Sequence, residues 1–261
     1  MTDTIDPDLL LRAYAIGVFP MADSRDAREI FWVEPKRRAI LPLDAFHASR
    51  SLRQTIRSGE FSVTRDRAFP EVLERCGSRR ETWINAQIEA GYNRLHEAGH
   101  AHSIECWHKD ELVGGLYGVR LGAAFFGESM FSVRRDASKV ALAWLVARMR
   151  VGGFRLLDCQ FMTEHLRSLG AVEIAQSDYM SLLSSALGSG AAGSGAGAAG
   201  AGVGAAAGAG VAGAEFGALD LLLEADGVAG DAAASGCVIL QLLGHTSQTG
   251  CSTTLSEGDS L

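Results

Sequence analysis

The stretch Ala123-Ala124-Phe125-Phe126-Gly127-Glu128-Ser129-Met130-Phe131-Ser132 is typical of an apolar strand, but it ends with a carboxylate and a thioether. A second short apolar run, Leu156-Leu157-Asp158-Cys159-Gln160, ends with an acid and an amide. In a mixed sheet, polar groups at strand ends face the crevice in which ligands bind. The two stretches therefore predict a sheet with a ligand site that contains Glu128, Asp158 and Gln160.

The elements around these stretches indicate the fold class. The predicted order is strands at 101–107, 112–119 and 123–131, a helix at 138–151, a strand at 155–159, a helix at 163–168 and a strand at 172–174. Three antiparallel strands followed by helix, strand, helix and strand is the order of an N-acyltransferase core. The predicted class is α+β, with a GNAT-like (acetyltransferase-type) catalytic domain at 59–187.

A small N-terminal α/β domain is predicted at 1–58. Its first helix is expected to begin at Pro7, with Asp6 as the cap, and to end at Gly17. A strand follows at 29–33, and residues 39–41 are the candidate hairpin partner of that strand.

The C-terminal part of the chain differs in composition from the rest. Glycine and alanine dominate it from residue 188, and so few large apolar groups predict a flexible Gly/Ala-rich linker over 188–236. Residues 237–261 form a tail segment with a strand-like run at 237–243. This run either docks on the body of the protein or stays apart from it.

Charge is distributed unevenly along the 261 residues. The net charge of −7 arises beyond residue 187, where seven acids stand without a single Lys or Arg. Residues 36–80, in contrast, carry eleven Lys or Arg against five acids. No apolar run reaches the roughly 18 residues of a membrane span, and the five cysteines include no CxxC pair. A reduced, cytoplasmic protein with no membrane partner is expected.

The basic region contains a helical pattern of arginines. Arg50, Arg53 and Arg57 are spaced so that one helix face presents all three guanidinium groups. A solvated helix face is one interpretation. Further arginines follow closely, at positions 65, 67, 75, 79 and 80, and this concentration favours a phosphate backbone as the partner.

Three motifs indicate other chemistries but lack the required context. Residues 96–100 match HExxH, yet Gly99 ends the predicted helix before the second histidine. Residues 134–139 occupy the place of a pyrophosphate-binding turn but lack its glycines, which argues against coenzyme A. Cys159 is expected to face the core, with a catalytic thiol as the alternative. No metal and no cofactor are expected.

Nine short motifs, kept in order between residues 8 and 183, resemble those of the leucyl/phenylalanyl-tRNA–protein transferase family. They are Ala13-Tyr14-x-x-Gly17-x-Phe19-Pro20, Phe31-Trp32-x-x-Pro35-x-x-Arg38, Ser49-Arg50-Ser51-Leu52, Trp83-Ile84, His100-Ala101-His102-Ser103-Ile104-Glu105, Glu111-Leu112-Val113-Gly114-Gly115-x-Tyr117-Gly118, Gly127-Glu128-Ser129-Met130-Phe131-Ser132, Ala137-Ser138-Lys139 and Asp158-Cys159-Gln160. The resemblance implies transfer of Leu or Phe, and weakly Met, from Leu-tRNA or Phe-tRNA to proteins with an N-terminal Arg or Lys. It also implies that the product is a degradation signal of the bacterial N-end rule. A monomer is expected.

The residues match these substrates in their chemistry. Glu128 and Asp158 supply anionic partners for a cationic acceptor. The catalytic hypothesis is that Asp158 orients the attacking amine, Gln160 hydrogen-bonds the reacting centre and the adenosine 2′ hydroxyl carries the leaving proton. The expected donor side-chain pocket consists of Leu116, Phe125, Met130, Leu145 and Leu157. The 3′ adenosine is expected to stack on Phe31, Trp32 or Trp83, and the phosphates to contact Arg50, Arg53 and Arg57.

Three other functions remain open from the sequence. Another aminoacyl-tRNA-dependent peptidyltransferase of the same fold would have a small or polar donor pocket. An acyl-coenzyme-A acetyltransferase would have the missing glycine turn. An RNA-binding module would have no use for Glu128, Asp158 and Gln160.

Overall fold

The computed structural model describes residues 4–188 and 214–245. Its helices are α1 Pro7–Ala15, α2 Arg50–Arg57, α3 Phe69–Gly77, α4 Ala86–Glu97, α5 Ala137–Val151, α6 Glu164–Ser168, α7 Gln176–Ala186, α8 Ala218–Ala225 and α9 Ala232–Leu242. Its strands are β1 Phe19–Met21, β2 Phe31–Val33, β3 Arg37–Ile40, β4 Ser62–Arg65, β5 Ala101–His108, β6 Glu111–Leu121, β7 Ala124–Ser132, β8 Leu156–Gln160 and β9 Val172–Ala175.

Seven of these strands form one mixed sheet in the order β4-β5-β6-β7-β8-β3-β9. Strands β7 and β8 run parallel to each other, and the other neighbouring pairs are antiparallel. The predicted meander β5-β6-β7 and the alternation of helix and strand after it are confirmed. The structure is thus α+β with a mixed sheet.

The predicted hairpin between residues 29–33 and 39–41 is wrong. Strand β2 pairs with β1 in a separate two-stranded sheet, whereas β3 lies between β8 and β9. The physical reason is the buried charge on β3, since Arg38 needs a carboxylate and finds one on β8. The domain boundary at residue 58 stays a prediction.

Helices cover both faces of the central strands, and the neighbouring glycines of β6 show the division. A Cβ on Gly115 would contact Val72 of α3, whereas one on Gly114 would lie 2.5 Å from Ala137 of α5. The missing side chain at Gly114 therefore lets α5 approach the sheet closely. Twelve of the fifteen residues of α5 are buried, because further helices cover its outer side.

Those further helices come from the C-terminal segment. Helices α8 and α9 pack on α5, and α9 also packs on α2. The predicted strand at 237–243 is wrong, because the run lies almost wholly in α9, whose first amides are capped by Asp231. Residues 214–236, predicted as linker, contain α8 and the start of α9, while the linker at 189–213 lies outside the described residues. Among the described helices, none has the length and apolar character needed to cross a membrane.

The parallel pair β7 and β8 separates partway along its length. The last paired residues are Phe126 and Asp158, and the two strands diverge beyond them. On the other side of β7, the pairing with β6 skips Glu128, since Tyr117 pairs with Ser129 and Gly118 with Gly127. Glu128 is therefore the extra residue of a β-bulge, a feature that often directs a side chain into an active site.

Candidate active site

A buried ion pair lies at the base of the opening between β7 and β8. Arg38 of β3 donates from Nε to Asp158 Oδ1 at 2.9 Å and from Nη2 to Oδ2 at 2.6 Å. Both side chains are almost inaccessible to solvent, with relative exposures of 1% and 0%. The remaining guanidinium nitrogen, Nη1, donates to the carbonyl of Gly17 at 2.9 Å, which ties the segment after α1 to the sheet.

Asp158 accepts two more hydrogen bonds. The Tyr179 hydroxyl donates to Oδ2 at 2.9 Å, and the backbone N–H of Gln160 donates to Oδ1 at 2.9 Å. An ionised carboxylate has about four acceptor positions, and these donors fill them. The geometry does not favour the predicted contact between Asp158 and a substrate amine, because the carboxylate is fully buried and fully bonded. Asp158 instead fixes the backbone at Gln160.

Gln160 ends β8 in a strained conformation. Its φ is 55°, in the left-handed region that residues other than glycine rarely adopt. Strain of this kind costs of order 1–3 kcal/mol and is retained at functional sites. The hydrogen bond from its N–H to Asp158 holds this conformation, and its Nε2 donates to Glu128 Oε1 at 3.1 Å.

Glu128 receives donors from two sides of the site. The Tyr92 hydroxyl donates to Oε2 at 2.8 Å, and the Tyr14 hydroxyl lies 2.5 Å from that of Tyr92. Burial raises the pKa of Glu128 to about 7, against the lowering effect of the tyrosine hydroxyls. Because the two tyrosine hydroxyls and the Gln160 amide do not fill all of the roughly four acceptor positions of a carboxylate, Glu128 can accept a further hydrogen bond from a ligand.

A cavity of about 340 Å³ opens beside Glu128. Four of the five predicted donor-pocket residues line it, namely Leu116, Met130, Leu145 and Leu157. The prediction for Phe125 is not met, because this fully buried ring stacks on Phe216 at 5.4 Å. Leu142 and Leu166 complete much of the apolar wall and were not predicted. Cys159 packs against the core, as expected, and it also lines the cavity.

The aromatic residues predicted to hold the adenosine lie at the β1-β2 hairpin and beside the cavity. Trp83 lines the cavity, and its carbonyl accepts from Ala22 N at 3.0 Å, one residue after β1. Phe31 and Trp32 of β2 are exposed by 43% and 39%. The structure thus joins the hairpin that carries two exposed rings to the segment that carries the third.

The predicted phosphate-binding arginines do not line this cavity. Arg50, Arg53 and Arg57 belong to α2, whose buried residues Leu52 and Ile56 face inward while α9 packs against the helix. Ser49 caps the helix by accepting from Leu52 N. The role of these arginines in binding phosphate stays a prediction.

Sequence reasoning gave no role to four buried polar residues of the site, Arg38, Tyr179, Tyr14 and Tyr92. Arg38 and Tyr14 fall inside the quoted motifs. Their place in those motifs was the signal that could have identified them. The Tyr92 ring is buried in the core, and its hydroxyl donates to Glu128. Residues 96–100 leave α4 before His100, and the described residues contain no cluster suited to a metal ion.

Comparison with known proteins identifies close relatives. The sequence model of the family "Leucyl/phenylalanyl-tRNA protein transferase" matches residues 40–184, and that of its N-terminal domain matches residues 3–36. The leucyl/phenylalanyl-tRNA–protein transferase of Rhizorhabdus wittichii is 62% identical over 249 residues, which cover 93% of this chain and 99% of that one. The protein of the same name from Zymomonas mobilis is 61% identical over 193 residues, covering 72% of each chain.

The chain is also similar to solved structures. The structure of L-PGS from Bacillus licheniformis matches with a TM-score of 0.34 and 13% identity, over 60% of this chain and 53% of that one. A likeness this weak supports no argument about fold or function.

Proposed function

This chain belongs to the leucyl/phenylalanyl-tRNA–protein transferase family, and we propose that it transfers Leu or Phe, and weakly Met, to proteins that begin with Arg or Lys. The family's reaction moves an aminoacyl group from tRNA to a protein. The observation that carries the finer assignment is an apolar cavity with one accessible carboxylate, Glu128, at its wall.

The cavity wall supports a large apolar donor side chain. Leucines from β6, α5, β8 and α6 surround it, and Met130 adds a flexible thioether that adapts to branched or aromatic shapes. Such a wall discriminates by only about 1–3 kcal/mol per missing methylene, so weak use of Met is expected. An apolar lining does not suit the small or polar donors of a cross-bridge peptidyltransferase.

Glu128 is the proposed partner of the cationic acceptor. Asp158 has no open acceptor position, whereas Glu128 borders the cavity and retains about one. Its carboxylate would attract the positively charged side chain or the α-amine of an N-terminal Arg or Lys. Asp158 acts indirectly, by holding the backbone of Gln160 and the guanidinium of Arg38.

The reaction is attack of the acceptor α-amine on the ester carbonyl of the donor. A bond forms between nitrogen and the carbonyl carbon, the ester C–O bond to the ribose breaks, and the proton lost by the amine passes through the neighbouring ribose hydroxyl to the leaving oxygen. The amine has a pKa near 8, so about a tenth is neutral at pH 7. Orientation by Glu128 and Gln160 is therefore the main contribution required of the protein.

The tRNA would be held by stacking and by charge. The 3′ adenosine would stack on Trp83 with Phe31 or Trp32, and Arg50, Arg53 and Arg57 would contact phosphates of the tRNA body. The fold assignment that accompanies this proposal is a GNAT-like core, supported by the meander β5-β7, helix α5 and the parallel strand β8 that diverges from β7.

The proposed biological setting follows from the acceptor. A protein that gains Leu or Phe at an N-terminal Arg or Lys would carry a degradation signal of the bacterial N-end rule. We place this reaction in the cytoplasm and assign it to a monomer.

One assay tests the proposal directly. Labelled Leu-tRNA is incubated with the protein and with two peptides that differ only in an N-terminal Arg or Ala. Label is expected in the Arg peptide alone, and Phe-tRNA should also serve as donor. Labelling of neither peptide, or of both equally, would contradict the assignment, and preferred use of Ala-tRNA would favour the peptidyltransferase alternative.

A further inference from the structure

A second void, of about 570 Å³, adjoins the donor cavity on the side of α3 and the start of α5. Arg79, Met130 and His165 line both spaces, so the two adjoin along these side chains. We call the second void the arginine groove. Arg75, Ser132 and Ser138 also line it, and among the residues that the structure describes no Asp or Glu does.

Arg79 is the cation best placed to meet an anion in this groove. Its Nη2 donates to Ser129 Oγ at 3.3 Å, and no carboxylate of the described residues forms an ion pair with it. Arg75, in contrast, pairs with Glu71 at 2.9 Å and lies over the Phe131 ring. The charge of Arg79 is thus available to a ligand, whereas that of Arg75 is partly compensated.

His165 adds a polar group where the cavity and the groove meet. Its Nε2 is buried and has no hydrogen-bond partner among the described residues. Burial and the nearby Lys139 lower the pKa of His165. His165 lines both spaces, and a rotation of its ring would be needed to bring this unpaired nitrogen to a sugar or phosphate group there.

The charged side chains that line the cavity and the arginine groove differ in sign from one place to the next. Glu128 borders the cavity, and Arg79 lies at the shared wall between the cavity and the groove. A cationic acceptor is attracted to the first and repelled by the second. When an aminoacyl-nucleotide places its side chain among the leucines, its sugar and phosphate extend out of the cavity. Arg79 lines both the cavity and the adjoining groove, so it lies where this phosphate would pass.

We propose that the arginine groove binds the phosphodiester between the last two nucleotides of the aminoacyl-tRNA, with Arg79 as its principal contact. This inference rests on the proposed function and deepens it. The arginines of α2 line neither the cavity nor the groove, so they would serve a more distant part of the tRNA. The occupant is a nucleic-acid phosphate, and an acidic residue of the acceptor protein is the competing occupant that the test must separate.

The test compares two minimal donors that differ by one phosphodiester, the 3′-phenylalanyl esters of adenosine and of the dinucleotide CpA. With an Arg peptide as acceptor, the wild-type enzyme should use the dinucleotide with a kcat/KM at least about tenfold higher, mainly through a lower KM. Arg79→Gln should reduce this ratio to near one, and Arg79→Lys should keep part of it. Arg94→Gln, an exposed arginine of α4, is the matched control and should leave the ratio unchanged.

The outcomes separate this inference from the proposed function. Failure of the wild-type enzyme to use Leu-tRNA or either ester with the Arg peptide would refute the function itself. Equal use of the two esters by the wild type, or an unchanged ratio in Arg79→Gln, would refute the phosphate site alone. A loss in Arg79→Gln that depends on an acid at the second position of the acceptor peptide, and not on the donor, would assign the groove to the acceptor.

Discussion

Gln160 Nε2 lies 3.1 Å from Glu128 Oε1, across the gap that opens where β7 and β8 separate. The bond connects two backbone irregularities, the left-handed end of β8 and the bulge of β7. Two regular strands would not bring the side chains of Gln160 and Glu128 into contact at this point. The side chains converge because each strand departs from regular geometry at the residue that carries the polar group.

Shortening the amide at Gln160 should slow transfer without unfolding the protein. Gln160→Asn keeps a carboxamide and tolerates a positive φ, but it is one methylene too short to reach Glu128. Loss of a hydrogen bond to a charged group, about 1.5–3 kcal/mol, predicts a 10- to 100-fold lower single-turnover rate with saturating aminoacyl-tRNA. An unchanged rate in Gln160→Asn and Gln160→Ala would exclude a role for the amide.

Glu128 should impose a pH dependence on acceptor use. With a pKa of about 7, its ionised fraction rises from roughly one-tenth to nine-tenths between pH 6 and pH 8. The kcat/KM for an Arg peptide should therefore rise through this range more steeply in the wild type than in Glu128→Gln, where only the substrate amine titrates. Superimposable pH profiles would show that Glu128 does not bind the acceptor in its ionised form.

Glu128→Gln, which should weaken acceptor use at high pH, should at the same time make the protein more stable there. The pKa of Glu128 is higher in the folded protein than the ordinary 4.5, so its favourable contribution is present below pH 4.5 and is lost as pH rises through 7. Glu128→Gln should thus raise the free energy of unfolding by about 1–3 kcal/mol at pH 8 and hardly at all at pH 4.5. Urea titrations at the two pH values measure this difference.

Breaking the buried ion pair should cost far more than breaking an exposed one. Arg38→Met leaves the Asp158 carboxylate buried with two neutral donors, and removal of one partner from such a pair destabilises by about 3–5 kcal/mol. Arg37→Met on the same strand removes a pair with Glu173 in which the arginine side chain is 61% exposed, and should cost less than about 1 kcal/mol. Similar urea midpoints for the two variants would contradict this account.

The sheet was predictable where apolar alternation and turn residues agree. Strands β5, β6 and β7 end at recognisable turns, and α5 shows a long apolar pattern after them. The place of β3 was not predictable from local pattern, because its partners β8 and β9 follow more than a hundred residues later. The helix α9 was mistaken for a strand because Val238, Ile239 and Leu240 are typical strand residues, and tertiary packing on α2 and α5 overrode that preference.

The sequence was sufficient to predict which residue types form the site, but less so to predict where each side chain lies. The acid and amide of Asp158 and Gln160 were found from their position at a strand end, but the burial of Asp158 depends on Arg38, far away in sequence. Phe125 was assigned to the pocket, together with Met130, as an apolar residue suited to a large apolar donor side chain. The register pairs Phe125 with Arg120 and Met130 with Leu116, so the bulge at Glu128 leaves both side chains on one face of the sheet. Their surroundings differ because Phe125 lies nearer the start of β7, where its ring packs on Phe216.

Donor selectivity should respond to Met130 and not to Phe125. Met130→Ala removes apolar contact from the cavity wall, and a loss of about 1–3 kcal/mol predicts a 10- to 100-fold lower kcat/KM for Leu-tRNA, with a smaller loss for Phe-tRNA because the ring fills the vacated space. Phe125→Leu alters a ring that packs on Phe216 and should lower stability while it keeps the Leu to Phe ratio. A changed ratio in Phe125→Leu would place that residue in the donor pocket after all.

The attachment of the C-terminal segment should depend on one aromatic residue. Phe216 is 3% exposed, stacks on His102 at 4.3 Å and on Phe125 at 5.4 Å, and its carbonyl accepts from Arg148 Nη1 at 2.7 Å. Phe216→Ala removes the ring from this site at a cost of about 3–5 kcal/mol, whereas Leu221→Ala, at a 69% exposed position of α8, should cost less than about 0.5 kcal/mol. Hydrogen exchange gives the location of the effect.

Amides of α8 and α9 should exchange faster in Phe216→Ala, with little change in β5 to β7, because the ring anchors the segment to the body. Equal acceleration throughout the sheet would show instead that the ring belongs to the global core.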